Sequence, residues 1–574
     1  MFLKVNRSKG HEYLFLVQSY REKSKNKHRV IASLGKLSDF SDSSFISISN
    51  KLMQLAGVSR IPTNVRNSEI IKTYNWGASA VVRKLWENLD LDYILSEAFE
   101  GSRVKFDANE AVFNIVLNRL THPESKLKLH SRQEDVVGIC KMDLHHYYKV
   151  LDVLANNKEV VEELMFKHSN KPFSKTVDIV LYDVTTLYFE STSCDELKKK
   201  GWSKDGKSRE VQVVVGLAAD KEGRPISFDV FPGNKYEGHT LLSALEKLKS
   251  RFDIDKVVIV ADRGINNEEN LDKIREAGYD YVFGHRFKTA EKMLKKSILD
   301  VKNYASIDVD IDGNTCSSVK DICLNEKGGI IPLSSEEKTK DRVICSWSAA
   351  RAAKDKKERE KNIEKARYLV ANPHKLEDKR GCKKYVTITL EEENTNNFKL
   401  DKFKERAKKI VKSVELNVEQ IIKDSMYDGI YTIQTSNTTL TAKEVLIAYK
   451  HLWKIEESFR VLKTSLETRP IYHWTPSRVV GHLMCCYIAL IVERALENIL
   501  TKKGIGYSVD RIREAINKLN VSKVKLADGE PEIYLHQSLN SSEFELSKKI
   551  LKTLGIGIPK SCMTEEQFKI AYQK

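Results

Sequence analysis

The chain has 574 residues, too many for one ordinary hydrophobic core and enough for two to four domains. An apolar fraction of 41% and a charged fraction of 31% are those of a globular protein and not of a disordered one. The 96 Lys and Arg against 80 Asp and Glu give a formal charge of +16, which favours a polyanionic partner, although many basic proteins bind no nucleic acid.

Cysteine usage and apolar runs predict a cytoplasmic protein with no membrane partner. The nine cysteines are scattered without a CxxC pair, as expected for reduced thiols. The N-terminal stretch MFLKVNRSKGHEYLFLV lacks the apolar core of a signal peptide. The longest apolar runs, such as CCYIALIV, are shorter than a membrane span.

The first third of the chain changes from strand to helix patterns. Residues 1–60 are predicted to form a β-hairpin unit, because YLFLVQSY and HRVIASLG flank the Lys-rich turn REKSKNK. A linker follows at 60–70. In the region 71–172, apolar residues recur every three or four positions, as in DANEAVFNIVLNRL, which predicts helices. Such a region can bind DNA, although packing alone explains the pattern equally well.

Residues 175–300 are predicted to form a mixed sheet with helices on its faces. The stretches VDIVLYDVTTLYF, VQVVVGLAAD and PISFDVF read as three strands, and the turn DKEGRP joins the last two in a hairpin. A helix, the strand KVVIVAD, a second helix and the strand DYVFGHR follow. The order β-β-β-α-β-α-β is typical of an α/β sheet.

The remainder is predicted to be an insertion, a second core part and a tail. Residues 301–440 read as helical and then β-rich, with a charged helix over about 335–370. The window 351–380 has 11 basic and 6 acidic residues, a net charge of +5, which is interpreted as a solvated helix face. Residues 441–505 read as a helix over 441–467 and an apolar helix near 478–500, and residues 506–574 as a helical tail.

Two acidic residues stand where strands are expected to present them. Asp183 interrupts the apolar run IVLYDV, where an ionised carboxylate is costly unless a cation or strong donors compensate it. Asp262 ends the strand VVIVAD, where α/β sheets usually present ligand-binding groups. For either residue alone, an Asp that caps a turn is the simpler interpretation. Together they would repel unless a metal ion binds both.

The stretch YKHLWKIEESFRVLK supplies a third acid on a predicted amphipathic helix. Tyr449, Glu456 and Lys463 are seven residues apart, nearly two turns, so they are expected to share a face, with Glu456 pointing toward the sheet. Hard divalent ions such as Mg²⁺ take oxygen ligands, and two of them promote in-line displacement at phosphorus. Lys463 would hold a phosphate, and Tyr449 would do the same or stack on a base. A plain amphipathic rim also explains both of these residues.

With these residues together, the chain resembles a DDE transposase of a bacterial insertion sequence, in the IS-four-like superfamily. The family signature is Tyr, two residues, Arg, three residues, Glu, six residues, Lys. Tyr449, Glu456 and Lys463 fall on it, whereas its Arg position is Leu452. LYDVTTLYFE resembles the family's first-Asp segment and VADRG its second.

The resemblance implies an α/β fold with an RNase H-like mixed-sheet core. A β-rich insertion would interrupt that core, and an N-terminal β-hairpin unit and a helical DNA-binding region would precede it. The spacing suits the subgroup with this insertion, because 79 residues separate Asp183 from Asp262 and 194 separate Asp262 from Glu456.

The resemblance also implies the chemistry and the partners. Asp183, Asp262 and Glu456 would bind two Mg²⁺ or Mn²⁺ ions, and the enzyme would cut the ends of its own element and join them to target DNA. The helical region would recognise terminal inverted repeats in double-stranded DNA, a homodimer would synapse two ends, and the bacterial protein would be nucleoid-associated. The candidate DNA-binding residues are Tyr449, Lys463, Lys454 and Arg460.

Two other functions are compatible with parts of the sequence. A DNA-binding protein derived from a transposase would keep the fold without catalysis, and Leu452 at the signature Arg position is compatible with it. A nucleotide hydrolase is suggested by GWSKDGKS (201–208), which fits GxxxxGK[ST]. That loop needs a buried strand before it and a helix after it, whereas CDELKKK is a poor strand and REVQVVVGL a good one, so the match is interpreted as chance.

Overall fold

The computed structural model describes residues 1–22, 25–55, 68–168, 178–201, 210–252, 257–309, 315–332, 335, 337–372, 382–390, 411–526 and 531–572. Most of the GWSKDGKS stretch lies outside these residues. The chain divides into two units: Met1–Val81 with Ser131–Lys141 and Arg511–Lys574, and Val82–His130 with Met142–Asp510.

Strands and helices succeed one another along the described residues. Up to His168 they are β1 (Phe2–Ser8), β2 (His11–Glu22), β3 (Lys25–Lys36), α1 (Asp42–Leu55), β4 (Glu69–Asn75), α2 (Gly77–Asn88), α3 (Leu91–Ala98), α4 (Ala108–Thr121), α5 (Lys126–Arg132), α6 (Leu144–Asn156) and α7 (Lys158–His168). To Leu299 they are β5 (Ile179–Tyr188), β6 (Gln212–Asp220), β7 (Pro225–Pro232), α8 (Leu241–Ser250), β8 (Val258–Ala261), α9 (Glu268–Glu276), β9 (Asp280–Gly284) and α10 (Lys292–Leu299). To Thr435 they are β10 (Ala305–Val309), β11 (Thr315–Leu324), β12 (Ile330–Ile331), β13 (Asp341–Ser348), α11 (Ala349–Ala371), β14 (Val386–Leu390), β15 (Val411–Leu416), α12 (Val418–Ser425) and β16 (Ile430–Thr435). The last are α13 (Ala442–Lys450), α14 (Trp453–Arg460), α15 (Pro476–Lys502), α16 (Val509–Asn517), β17 (Asn520–Lys525), β18 (Ile533–His536), α17 (Glu545–Leu554), β19 (Cys562–Thr564) and α18 (Glu565–Tyr572).

The first unit contains two antiparallel sheets. The predicted hairpin is present as β2 and β3, and β1 adds a third strand, with Phe2 opposite Val17. The second sheet has the order β19-β18-β17-β4. The prediction of a wholly helical tail after residue 506 was wrong, because β17 pairs with β4, which is more than 400 residues away in sequence. Local periodicity carries no signal for such a distant partner. Strand β4 also occupies the start of the region predicted to be helical.

The second unit is built on one large mixed sheet. Its strand order is β10-β11-β13-β16-β9-β8-β5-β6-β7, and β12 pairs with β11. The predicted order β-β-β-α-β-α-β is present, with β5, β6 and β7 antiparallel and β8 and β9 parallel to β5. Helices α8 and α9 cover one face, where Tyr182, Val184 and Ile259 pack in the core with Leu241 and Ile274.

The region 301–440 differs from its prediction. It was expected to be helical first and then β-rich, but strands β10 to β13 precede the long helix α11, and β13 occupies the start of the predicted helix. Strands β13 and β16 pair with each other, and β16 pairs with β9, so these strands extend the core sheet. Strand β13 (DRVICSWS) is buried along most of its length and therefore lacks the alternating pattern that identifies a half-exposed strand.

Helices pack beside this sheet around the apolar helix predicted near 478–500. That helix is α15, which packs against α4 and α6. Gly481 lies at the crossing with α6, because a Cβ atom there would stand 2.0 Å from the Leu151 carbonyl oxygen. Of the described helices, only α15 has the length and composition to cross a membrane, and 89% of its most apolar window is buried within the protein. This burial is that of a core helix.

Candidate active site

Asp183 and Asp262 lie side by side on neighbouring parallel strands. Tyr182 of β5 is in register with Ala261, the last residue of β8. Asp183 follows Tyr182 and Asp262 follows Ala261, so the two acids are neighbours across the strands. Such strands are about 4.8 Å apart. Tyr182 and Val184 face the core under α8 and α9. Because side chains alternate along a strand, Asp183 points to the opposite face.

Glu456 lies on a helix that is interrupted on both sides. The segment predicted as one helix over 441–467 forms α13 and α14, and a π-helical turn follows at Val461–Ser465. Between the two helices the Leu452 N–H bonds to the Tyr449 carbonyl three residues back, at 3.1 Å, so the backbone is wound more tightly there. The prediction of one straight helix was therefore wrong. Helix α14 nevertheless packs against β5, the strand that carries Asp183.

Tyr449, at the end of α13, contacts the second acid directly. Its hydroxyl donates a hydrogen bond to Asp262 Oδ1 at 3.2 Å. Burial and the charge of Asp262 raise the pKa of Tyr449 above its usual range, so the hydroxyl stays protonated and available as a donor. The hydroxyl passes over Gly284, where a Cβ atom would lie 2.7 Å from it. The contact therefore requires glycine at the end of β9.

Asp262, Tyr449 and Glu456 line one cavity of about 900 Å³. Asp183 and Lys463 are not among the described residues that line it. A second cavity of about 450 Å³ shares Asp262 and Tyr449 with the first. Two of the three predicted acids are thus brought to one space, and the third lies beside Asp262 in the sheet.

Helix α11 supplies residues to this space that sequence reasoning missed. Its charge run was interpreted as a solvated face, and the helix is largely exposed, but Arg351 and Lys354 also line the larger cavity together with Asp355 and Glu358. The sequence feature that could have indicated this role is the excess of basic residues in α11. Periodicity alone does not show that this helix lies near Asp262 and Glu456. Trp453 also lines the cavity and is 53% exposed. The basic residues that line this cavity are Arg351, Lys354, Lys443 and Lys450.

The other predicted DNA-binding residues have different surroundings. Lys454 Nζ donates to the Lys221 carbonyl at 2.7 Å, so its ammonium contacts the β6–β7 turn. Arg460 is exposed at the end of α14, and Lys463 is half-buried in the π-helical turn. Leu452, at the signature Arg position, is buried.

Buried cations hold the segment that follows the π-helical turn. Arg119 of α4 donates to the carbonyls of Leu466 and Glu467 at 3.4 and 3.2 Å. Lys126 donates to His482 Nδ1 at 3.1 Å, and His482 Nε2 donates to the Thr468 carbonyl at 3.2 Å. Burial and the charge of Lys126 lower the pKa of His482 well below its usual value, which keeps the imidazole neutral.

The donor set of the three acids fits a hard divalent cation. Asp183, Asp262 and Glu456 offer only carboxylate oxygens, which Mg²⁺ and Mn²⁺ prefer. Their oxygens are not all within 4.8 Å of one another; among the described residues such a cluster occurs at the start of α6. Ligands of two ions that are themselves about 4 Å apart spread more widely than ligands of one. A cation at the start of α6 would be opposed by the positive end of the helix dipole.

Comparisons with known proteins identify the family of the chain. Residues 175–492 match the family model described as "Transposase DDE domain", and residues 3–56 match "IS1634 family transposase, N-terminal domain". Among solved structures, the chain is similar to a piggyBac transposase synaptic complex with hairpin DNA, at 9% identity over 85% of this chain and 84% of that chain. Its TM-score of 0.36 is too low to carry an argument. No curated protein matches the chain. Because the first match covers more than half of the residues, the chain belongs to the DDE transposases of bacterial insertion sequences.

Proposed function

We propose that the protein is a metal-dependent DNA strand transferase that cleaves the ends of its own insertion sequence and joins them to target DNA. One observation carries the proposal: Asp183 and Asp262 are adjacent on parallel strands, and the helix of Glu456 packs against the same sheet. Three acidic side chains so placed are costly unless cations compensate them.

An RNase H-like core is part of this proposal. It is supported by three antiparallel strands, β7, β6 and β5, continued by β8 and β9 parallel to β5. The first acid lies on the central strand and the second at the end of its neighbour. The strands of the region 301–440 would then be an insertion that lengthens the sheet before the Glu helix.

Asp183, Asp262 and Glu456 would hold two Mg²⁺ or Mn²⁺ ions. When bound, such ions activate a water or a 3′-hydroxyl and stabilise the leaving oxygen at phosphorus. The side chains of the protein supply the orientation: Tyr449 fixes Asp262 by donating its hydroxyl hydrogen bond to Oδ1.

The DNA would lie along the cavity between α11 and the segment α13–α14, which carries Glu456. Basic residues of α11 and α13 are placed to neutralise phosphates beside the acids Asp355 and Glu358, and the formal charge of +16 favours the same partner. The segment 449–463 would add four further DNA-binding residues, which are Tyr449, Lys463, Lys454 and Arg460. Because Lys454 already contacts the Lys221 carbonyl, it would contribute least of these four.

The remaining features of the proposal concern assembly. A homodimer would synapse two DNA ends, and the helical region 71–172 would recognise their terminal inverted repeats. The enzyme would act in the bacterial cytoplasm, at the nucleoid.

The proposal is tested by cleavage of a duplex that carries the ends of the element, read from the DNA that flanks the gene. With Mg²⁺, the wild type should cut at the repeat end. Asp183→Asn, Asp262→Asn and Glu456→Gln should each slow cleavage by at least about 10³-fold while leaving duplex binding intact. Inverted repeats bracketed by short direct duplications would identify the ends.

Glu457→Gln is the matched control. Glu457 is the next residue on α14 and is bound to Arg494 at 3.4 Å, so its loss should leave cleavage unchanged. A Glu456→Gln protein that cuts at the wild-type rate would refute the assignment. A wild type that binds the repeat but never cuts it would identify an inactive, DNA-binding descendant.

A further inference from the structure

Strands β2 and β3 extend beyond the third strand of the N-terminal sheet. Strand β1 pairs with β2 only as far as Val17, opposite Phe2. The β2–β3 ladder continues for five more pairs, from Gln18 opposite Arg29 to Glu22 opposite Lys25. We call residues 18–22 and 25–29 the ribbon. Every side chain of the ribbon whose burial the structure describes is exposed.

The ribbon gains little stability from its own burial. An isolated pair of strands is marginal in water because neither face excludes solvent. The stretch QSYREKSKNKHR (18–29) carries five Lys or Arg and a single Glu, and it contains no Val, Leu, Ile or Met. This composition disfavours an apolar protein partner or a membrane and favours a polyanion.

The register divides the ribbon into two faces. Arg21 is opposite Asn26, and Ser19 is opposite His28, so these four side chains share one face. That face has no acidic residue. On the other face Lys27 is opposite Tyr20, and its ammonium lies 2.6 Å from Glu22. The first face is therefore the better match for an anionic surface.

We propose that the ribbon enters the major groove of duplex DNA at the ends of the element, with the face of Arg21 and Asn26 toward the bases. The major groove is about 12 Å wide and admits a two-stranded ribbon. Arg pairs with guanine and Asn with adenine through two hydrogen bonds each. The deep, narrow groove of double-stranded RNA does not admit such an element.

Arg29 has a separate role in this arrangement. It lies on the second face, where Lys27 is already paired with Glu22, and its long side chain would reach the phosphates that border the groove. Such contacts strengthen binding without selecting a sequence. The inference rests on the proposed transposase function, and it adds a base-reading element to the helical region 71–172.

The test measures binding of the full chain by fluorescence anisotropy, with Asp183→Asn as background and without divalent cation. The two duplexes are the terminal repeat and a scrambled duplex of equal length and composition. The Arg21→Ala Asn26→Ala variant should lose about 10-fold or more of the preference for the repeat. Arg29→Ala should weaken binding to both duplexes equally and lower the salt slope by about 1.

Arg7→Ala is the matched control. Arg7 is an exposed arginine of β1, paired with Glu12 at 2.7 Å, and lies outside the ribbon, so binding and preference should be unchanged. An Arg21→Ala Asn26→Ala protein with wild-type preference, or with equal losses on both duplexes, would overturn base reading. Since no cleavage is measured, a failure of strand transfer leaves this result intact, and a failure of base reading leaves strand transfer intact.

Discussion

Tyr449 and Asp262 are joined by a hydrogen bond of 3.2 Å that crosses the surface of Gly284. One partner belongs to the helix before Glu456, and the other directly follows β8. The bond therefore ties α13, the helix that precedes α14 and Glu456, to the strand end that carries the second acid. Substitution at either side of this contact should alter the position of Asp262.

Tyr449→Phe should slow cleavage by about 10-fold, because Asp262 loses the donor that orients it. The free energy of unfolding should change by no more than about 1.5 kcal/mol, the usual net value of one hydrogen bond. Single-turnover cleavage and thermal denaturation measure the two effects. Tyr236→Phe, at an exposed tyrosine of the same unit, should change neither. An unaltered rate for Tyr449→Phe would mean that the hydrogen bond does not position Asp262.

Gly284→Ala should slow cleavage by a similar factor, because the new Cβ atom would stand 2.7 Å from the Tyr449 hydroxyl and displace it. In the Tyr449→Phe background the clashing oxygen is absent, so the same substitution should cost less. The measurement is a double-mutant cycle on the cleavage rate. Strictly additive effects would contradict this role of the glycine.

Gly481→Ala should lower the free energy of unfolding by about 3 kcal/mol. The added Cβ atom would meet the backbone of Leu151 at 2.0 Å, so α15 and α6 must separate. Gly506→Ala is the control, since nothing lies within 4 Å of its Cβ position. Equal melting temperatures for the two variants would show that the crossing tolerates a methyl group.

Lys126→Met should change how stability depends on pH. Burial, and then the charge of Arg119, lower the pKa of Lys126 from 10.5 to about 8. Below pH 8 both the folded and unfolded states carry the charge, and the folded state bears the full penalty. Between about pH 8 and 10.5 the folded state releases its proton first, so the free energy of unfolding rises with pH.

The difference in the free energy of unfolding between Lys126→Met and the wild type should therefore decrease as the pH rises. The advantage of Lys126→Met should be largest below pH 8 and decrease by roughly 3 kcal/mol by pH 10.5. Urea denaturation at intervals across that range measures it. A constant difference would mean that the lysine is not buried as a cation beside His482.

The sequence alone predicted the core strands, and it singled out Asp183, Asp262 and Glu456 as the candidate acids. Alternating and continuous apolar runs predicted β5 to β9 and the helices between them, because those elements obey local periodicities. The resemblance carried by LYDVTTLYFE, VADRG and Tyr449, Glu456 and Lys463 led to the family. The family match at residues 175–492 confirmed that assignment.

Tertiary structure decided the rest, because the deciding contacts join distant segments. Strand β17 pairs with β4, and β13 and β16 continue the core sheet. Local sequence patterns do not predict which distant strands will pair. The helix predicted over 441–467 breaks between α13 and α14, where His451 and Lys454 both contact the Lys221 carbonyl. The charged helix α11 lines the cavity of Asp262 and Glu456. A periodicity determines which face of an element is apolar, whereas packing determines what that face meets and where the element must bend.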